Sequence, residues 1–267
     1  MKVAESLLLA CVVGLACFIG GQTLGVRRGV ILSVSAGAIA TASRPSAVAT
    51  MESFGTTRPE VRRVAAAPDP NRPTRSISAR DLRQRIAQGA AGTYIAELLV
   101  ERDSAITRWP DRVSHPLRIW IAAPERVRGW NSDFTPSVRE AFQAWVAVGI
   151  PIRFDFIADS ATADVHVRFI GRFPDGISGK TVWSRDVSWW LVSGEIELAL
   201  SHPGGGNVTA PQMRAIAMHE VGHLLGLDHS RTADDIMAAH VHVRELSDAD
   251  RATARLLYSM PAGTTKE

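Results

Sequence analysis

Cysteine is almost absent from this chain of 267 residues, and the absence limits its chemistry. The two cysteines, Cys11 and Cys17, both lie in the apolar N-terminal stretch. Residues 18–267 contain none, which excludes a disulfide framework, a zinc site with cysteine ligands and a cysteine nucleophile from this part. The composition of the whole chain, 46% hydrophobic and 21% charged, is that of a globular protein rather than of a disordered or collagen-like chain.

The part of the chain expected to fold into a domain, residues 113–267, also has no excess of basic side chains. The formal net charge is +3, but residues 113–267 contain 15 basic and 18 acidic side chains. A protein that binds nucleic acid concentrates basic side chains on the domain that docks. We therefore expect no nucleic acid among the partners.

The N-terminal 40 residues have the pattern of an export signal. Lys2 precedes a charge-free run at residues 6–26, and a second apolar run ends in small residues at residues 38–40. The first run has 21 residues, and a membrane crossing needs about 20, so it can also serve as a retained anchor. We expect an exported protein, secreted or periplasmic, or one anchored with its folded part outside.

The following residues divide into a linker and a helical segment. Residues 41–77 contain five prolines and no apolar periodicity, which predicts a flexible linker. Residues 78–112 predict two short helices, over residues 80–88 and from about Tyr94 to Asp103. These helices either pack on the domain that follows or form an inhibitory pro-segment, and the sequence leaves both interpretations open.

Residues 113–260 have the periodicity of one α/β domain, followed by a tail at residues 261–267. Alternating apolar residues predict three strands, and two further segments bring the expected number to about five. Helical spacing predicts three main helices. The strands are expected at Leu117–Ile121, Ile152–Phe156, Asp164–Phe169, Lys180–Asp186 and Glu195–Leu200, and the helices at about Pro136–Trp145, Thr209–Leu225 and Ser247–Tyr258.

The long middle helix carries a metal-binding pattern. His219 and His223 are four residues apart and therefore lie on one face of the helix. Gly226 can adopt a positive φ and end the helix, so the chain can turn back and bring His229 to the same ion. Three histidines leave the fourth position of zinc open, as in catalytic rather than structural sites.

Glu220 follows the first histidine and can reach a water at that open position without binding the metal. Zinc lowers the pKa of a bound water from about 15.7 to about 7 and so generates a nucleophile at neutral pH. An ordinary surface helix is the alternative interpretation. The flanking residues 215–218 and 221–225 are mostly apolar, however, and buried imidazoles and a buried carboxyl group without partners would cost several kcal/mol.

These residues resemble the extended zinc-binding motif HExxHxxGxxH of the metzincin metalloproteases. Met237, eight residues after His229, corresponds to the packing methionine beneath the metal in that clan. Ser230, the segment Phe142–Gly171 and the C-terminal helix resemble the matrixin branch in particular. The resemblance covers roughly residues 115–260. It implies a metzincin-like α/β fold with a twisted, mostly parallel sheet of five strands, an active-site helix and a C-terminal helix, and it implies secreted endopeptidase activity on proteins or peptides, including those of the extracellular matrix.

The sequence also departs from this family. The absence of cysteine from residues 18–267 excludes the cysteine switch that keeps some members latent. The histidines and aspartates of a second, structural zinc are not evident at residues 171–186, so we expect a single catalytic Zn²⁺. Calcium is compatible with the chain but no site can be assigned, and a monomer is expected.

The resemblance implies a hydrolase in which zinc is held by His219, His223 and His229 and Glu220 is the general base. We expect the peptide to lie extended along the exposed sheet edge at Lys180–Asp186 by strand addition. Two other functions are compatible with the sequence: a catalytically silent zinc-binding recognition domain, and a zinc hydrolase of a non-peptide amide or ester.

Overall fold

The computed structural model describes residues 53–65, 69, 71–72, 77–123 and 127–266. The predicted signal or anchor at residues 1–40 lies outside these ranges. Within them, no helix combines the length and apolar character that crossing a membrane requires. The helices of the described residues are α1 (Ala79–Gly89), α2 (Ile95–Glu101), α3 (Phe134–Val146), α4 (Ala210–Leu224) and α5 (Asp248–Tyr258), with a short 3₁₀ turn at Ser160–Thr162.

A six-stranded, mostly parallel sheet forms one layer of the domain. Its strands are β2 (Glu60–Arg63), β4 (Arg112–Ile121), β5 (Ile152–Ile157), β6 (Val165–Ile170), β7 (Gly179–Arg185) and β8 (Leu191–Ala199). They follow the order β2-β7-β8-β6-β4-β5. Strands β4, β5, β6 and β8 are mutually parallel, and β7 is antiparallel to β8. The predicted α/β class is confirmed, with six strands instead of five.

Two small ribbons lie outside this sheet. One pairs β1 (Phe54–Gly55) with β9 (His240–Val241), and the other pairs β3 (Ala105–Ile106) with β10 (Gly263–Thr264), both antiparallel. The last pairing shows that residues 263–264 of the predicted tail are paired with β3. The pairing is made by main-chain hydrogen bonds between two strands of two residues each. A segment of two residues is too short to show an alternation of apolar and polar side chains.

The predicted linker also differs where the structure describes it. Residues 60–63 form β2, which is parallel to β7 and is itself the edge strand of the sheet. All four side chains of β2 are exposed, so no hydrophobic alternation marks it as a strand. This part of residues 41–77 is therefore held by main-chain pairing rather than free, and the edge predicted to be exposed for a substrate is covered by the chain itself.

The core forms where α3 and α4 pack on one face of the sheet. Phe142 and Trp145 of α3 are fully buried, and the Trp145 indole donates to the carbonyl of Met218 on α4 at 2.8 Å. On α4, every residue from 215 to 224 is buried, whichever side of the helix it faces. A helix that is buried all round occupies a protein interior, and its few polar side chains must therefore find partners there.

Helices α1 and α2 pack against the domain. Leu82 of α1 and Leu98 of α2 are fully buried in the common core. Tyr94, which precedes α2, donates its hydroxyl to Asp250 of α5 at 3.2 Å and its main-chain N–H to Thr253 at 3.1 Å. Both helices therefore contribute to the common core of the domain, and Glu97 and Glu101 of α2 also line a cavity that includes His229.

Gly226 ends α4 and turns the chain back towards the sheet. Its φ is +100°, and a Cβ added there would lie 2.1 Å from the carbonyl oxygen of Thr107. The Trp109 indole and the Tyr258 hydroxyl donate to the carbonyls of Leu224 and Leu225, at 2.8 and 3.0 Å. The free carbonyls of the helix end are thus partnered, and its position is fixed.

Gly226→Ala should therefore destabilise the chain strongly, because a backbone atom cannot move aside as a flexible side chain can. We expect a loss of more than about 3 kcal/mol in the free energy of unfolding, measured by urea titration. Gly92→Ala is the matched control, since Gly92 also has a positive φ, +70°, but open space around it. That control should lose about 1 kcal/mol. Equal losses in the two variants would show that the Thr107 contact is unimportant.

Candidate metal centre

Three histidines from α4 and the turn after it converge on one point. His219 and His223 are fully buried, and their Nε2 atoms are 2.9 Å apart. His229 is half-buried, and one ligand atom from each of the three lies within 4.8 Å of the others. The spacing of four residues gives the first pair, and the turn at Gly226 brings in the third.

The hydrogen bonds of the first two rings fix their tautomers. Nδ1 of His219 is 2.7 Å from the carbonyl oxygen of Ile236, and Nδ1 of His223 is 3.0 Å from that of Leu227. A carbonyl only accepts, so both Nδ1 atoms carry the proton and both Nε2 atoms present lone pairs. Two lone pairs facing each other at 2.9 Å repel unless a cation lies beside them, so the donor set fits a divalent metal.

Burial also keeps these rings neutral. It lowers the pKa of His219 to about 3, with the nearby His229 ring adding to the effect. Burial lowers the pKa of His223 well below its ordinary value, and that of His229 is lowered for the same reason although Asp228 partly opposes it. The unprotonated imidazole is the form that binds a metal, so the site is ready for an ion at neutral pH.

Asp228 holds the turn that carries the third histidine. Its Oδ1 accepts from the main-chain N–H of His229 at 2.8 Å, and its Oδ2 accepts from Nε of the buried Arg102 at 2.6 Å. Arg102 also donates to the carbonyl of Leu227 at 2.8 Å. No pattern in the sequence predicts this pair, because Arg102 lies 126 residues before its partner.

Glu220 lies beside the histidines with its carboxyl group completely buried. Its Oε2 is 2.6 Å from the hydroxyl of Thr181 on β7, whereas Oε1 has no hydrogen-bond partner among the described residues. Burial raises the pKa of Glu220 to about 8, and the hydrogen bond from Thr181 opposes this rise. A Cβ added to Gly179 would lie 2.4 Å from Oε1, so glycine leaves room for the carboxyl group.

Comparison with known proteins agrees with this geometry. Residues 123–259, slightly more than half of the chain, match the peptidase family described as Matrixin. This protein belongs to the matrixin family. The similar proteins include Metalloendoproteinase 1-MMP of Arabidopsis thaliana, which is 28% identical over 123 residues. The match covers 40% of this chain and 32% of the relative, so the chain spans about a third of the length of that relative.

Met237 of this matrixin packs directly beneath α4. It is fully buried, and a Cβ added to Gly222 would lie 2.2 Å from its sulfur. The Met237 carbonyl accepts from the main-chain N–H of Ser230 at 2.9 Å, which joins this loop to the chain just after His229. Gly222 has no side chain and so leaves room for the side chain of Met237 against α4.

The chain's own residues 53–65 run through the cleft of the matrixin. The hydroxyl of Thr56 lies 3.2 Å from Nε2 of His229 and donates to the carbonyl of Ala239 at 3.2 Å. Thr56 also pairs with Gly179, next to the carboxyl group of Glu220. Phe54, two residues earlier, is fully buried in the common core. An extended segment of the same chain therefore occupies the place where the sequence analysis expected a substrate.

Proposed function

We propose that this matrixin is a zinc-dependent endopeptidase, with His219, His223 and His229 as the metal ligands. One observation carries the proposal: three imidazoles with converging nitrogens lie beside a buried carboxyl group that has one oxygen without a partner. When bound, zinc supplies Lewis-acid activation of a water molecule and of the scissile carbonyl. Three protein ligands leave a position open for that chemistry.

Glu220 acts as the general base and then as the general acid. Its free oxygen, Oε1, takes a proton from the water as the water attacks the carbonyl carbon. The same carboxyl group then delivers the proton to the leaving amine when the C–N bond breaks. A cation nearby favours the ionised form of a carboxyl group, which offsets the burial that raises the pKa of Glu220.

The occupied cleft favours a peptide over a small molecule as the substrate. Residues 60–63 pair with β7 along four residues, so this edge already accepts extended main chain. Digestion of a mixed peptide library, read by mass spectrometry, tests the proposal. We expect internal cleavages that stop when the metal is chelated. A library left intact would favour a hydrolase of non-peptide amides or esters, or a silent recognition domain.

We further propose that residues 53–65, rather than the helices of residues 78–112, form the inhibitory pro-segment. The paired strands, the burial of Phe54 and the position of Thr56 beside His229 support this choice. The segment contains no cysteine, so it closes the cleft by strand pairing and packing. Export through residues 1–40 is proposed from the sequence alone, and it would place the enzyme outside the cytoplasm.

Phe54→Ala should release part of this inhibition in the full chain. Removing a buried phenylalanine side chain costs about 3–5 kcal/mol of packing, and the open fraction of the protein rises accordingly. We expect kcat/KM on a cleaved peptide to rise by about tenfold or more. Val64→Ala is the matched control, because Val64 is exposed and its main-chain bond to Arg185 stays. Unchanged kcat/KM in Phe54→Ala would show that the segment does not limit access.

A further inference from the structure

Thr181 connects strand β7 of the sheet to the carboxyl group of Glu220. It lies in the middle of β7, opposite Ile196 of β8, and its side chain is fully buried. The hydroxyl oxygen is 2.6 Å from Oε2 of Glu220 and 3.1 Å from the main-chain carbonyl oxygen of the same residue. It is the one hydrogen-bond partner of this carboxyl group among the described residues.

A threonine hydroxyl has a single proton, so it donates to one of these two acceptors at a time. An ionised carboxylate is the stronger acceptor, because hydrogen bonds to charged groups are about twice as strong as neutral ones. The carboxylate of Glu220 is therefore held through Oε2. Its other oxygen is left without a partner, and it lies against Gly179.

The unpartnered oxygen, Oε1 of Glu220, lies on the side of the carboxyl group that is nearer the cleft. Gly179 pairs with Thr56, and the hydroxyl of Thr56 is 3.2 Å from Nε2 of His229. Oε1 of Glu220 and the third histidine thus border the same small region of the cleft. A donor on Oε2 fixes which oxygen of the carboxylate faces this region.

We propose that Thr181 is a positioning residue, which holds Oε2 of Glu220 so that Oε1 is presented to the attacking water. This inference rests on the proposed peptidase function. Thr181 does not touch the substrate through its side chain, and its main chain is unchanged by substitution. Loss of the hydroxyl should therefore lower kcat and leave KM nearly constant, because peptide pairing with β7 uses main-chain groups.

Two substitutions separate this role from a packing role. Thr181→Val keeps the shape and loses the hydroxyl, whereas Thr181→Ser keeps the hydroxyl and loses a methyl group. Misplacement of a catalytic group by about 1 Å can cost about 10²-fold, so we expect kcat of Thr181→Val to fall by about 10- to 100-fold with KM within about twofold. Thr181→Ser should retain most of the turnover. A packing role predicts the reverse order, with the serine variant the more impaired.

Thr253→Val is the matched control. Thr253 is also a fully buried threonine with one hydroxyl partner, the main-chain N–H of Tyr94, and it lies on α5. Loss of the Thr253 hydroxyl should lower the urea midpoint of unfolding and leave kcat unchanged. All variants are prepared as the full chain and treated alike, and zinc content is measured on each sample. We expect equal zinc in all of them.

A second measurement needs neither metal nor activity. In the metal-free chain, Thr181→Val and Glu220→Gln should shift the urea midpoint non-additively, because they remove two ends of one contact. Additive shifts, normal kcat in Thr181→Val, or equal loss of kcat in the valine and serine variants would overturn the positioning role alone. If the wild-type chain cleaves no peptide, the peptidase function fails and this role fails with it.

Discussion

Glu220→Ala should abolish most peptide cleavage and leave zinc bound. The substitution removes the base that accepts the proton of the attacking water, while the three imidazoles remain. General acid–base assistance is worth about 10²–10⁴-fold, and we expect a fall in kcat/KM at the upper end of this range. The measurement is kcat/KM on one cleaved peptide, with zinc determined on the same sample. Full zinc together with near-normal turnover would contradict the assigned role.

Two companion variants make the result specific. Glu140→Ala removes an exposed carboxylate on α3, which forms an ion pair with Arg214 at 3.6 Å, and should leave turnover unchanged. Glu220→Gln keeps the shape of the side chain without its charge and should be as inactive as the alanine variant. Burial raises the pKa of Glu220 to about 8, so the metal-free chain must take up a proton at this carboxyl group when it folds at neutral pH. Glutamine needs no such proton, and we therefore expect metal-free Glu220→Gln to unfold at the same or a higher urea concentration than the wild type.

His223→Ala should remove zinc from the site and all activity with it. Even residues that only support metal ligands change affinity by about 10- to 100-fold, so loss of a ligand should weaken binding by more than about 100-fold. In the wild type, zinc stabilises the folded chain by mass action, and a chelator should lower Tm. In His223→Ala the chelator should have no effect on Tm.

His166→Ala is the control for this change. His166 lies on β6, half-buried against Trp120, with its Nε2 2.9 Å from the carbonyl oxygen of Ser160. It should retain zinc, turnover and the response of Tm to the chelator. Stoichiometric zinc in His223→Ala at low micromolar concentrations would mean that other residues bind the ion.

The metal centre could be anticipated because its geometry is local in sequence. His219 and His223 are one helical turn apart, and His229 is only three positions after Gly226. The helix period and the freedom of glycine at positive φ suffice to bring the three rings together. The strands at residues 117–121, 152–156 and 164–169 were predictable for a related reason, since each carries its own alternation of apolar residues.

Other parts depend on contacts between residues far apart in the chain. Thr181 precedes Glu220 by 39 residues, and nothing in its neighbourhood distinguishes it from an ordinary strand threonine. The strand at residues 60–63 has four exposed side chains and is held by main-chain bonds to β7, which no side-chain pattern encodes. The pairing of residues 263–264 with β3 is also made by main-chain bonds, so the sequence did not predict it either.

The occupied cleft changes how the missing cysteine is interpreted. Residues 18–267 contain no thiol that could block the metal site, but latency by other means is compatible with the sequence. Thr56 lies where its hydroxyl meets Nε2 of His229, and the residues on either side pair with β9 and β7. Closure by strand pairing depends on many weak contacts, so partial release by a single substitution such as Phe54→Ala is the expected behaviour.

A zinc titration tests the central claim most directly. Metal-free full chain is mixed with increasing amounts of zinc, and cleavage of one peptide found in the library digest is followed at each point. Activity should rise linearly from zero and stop rising at one zinc per chain, because three histidines form a single site. Cleavage that proceeds without zinc, or a break at two zinc ions per chain, would contradict a single catalytic zinc held by His219, His223 and His229.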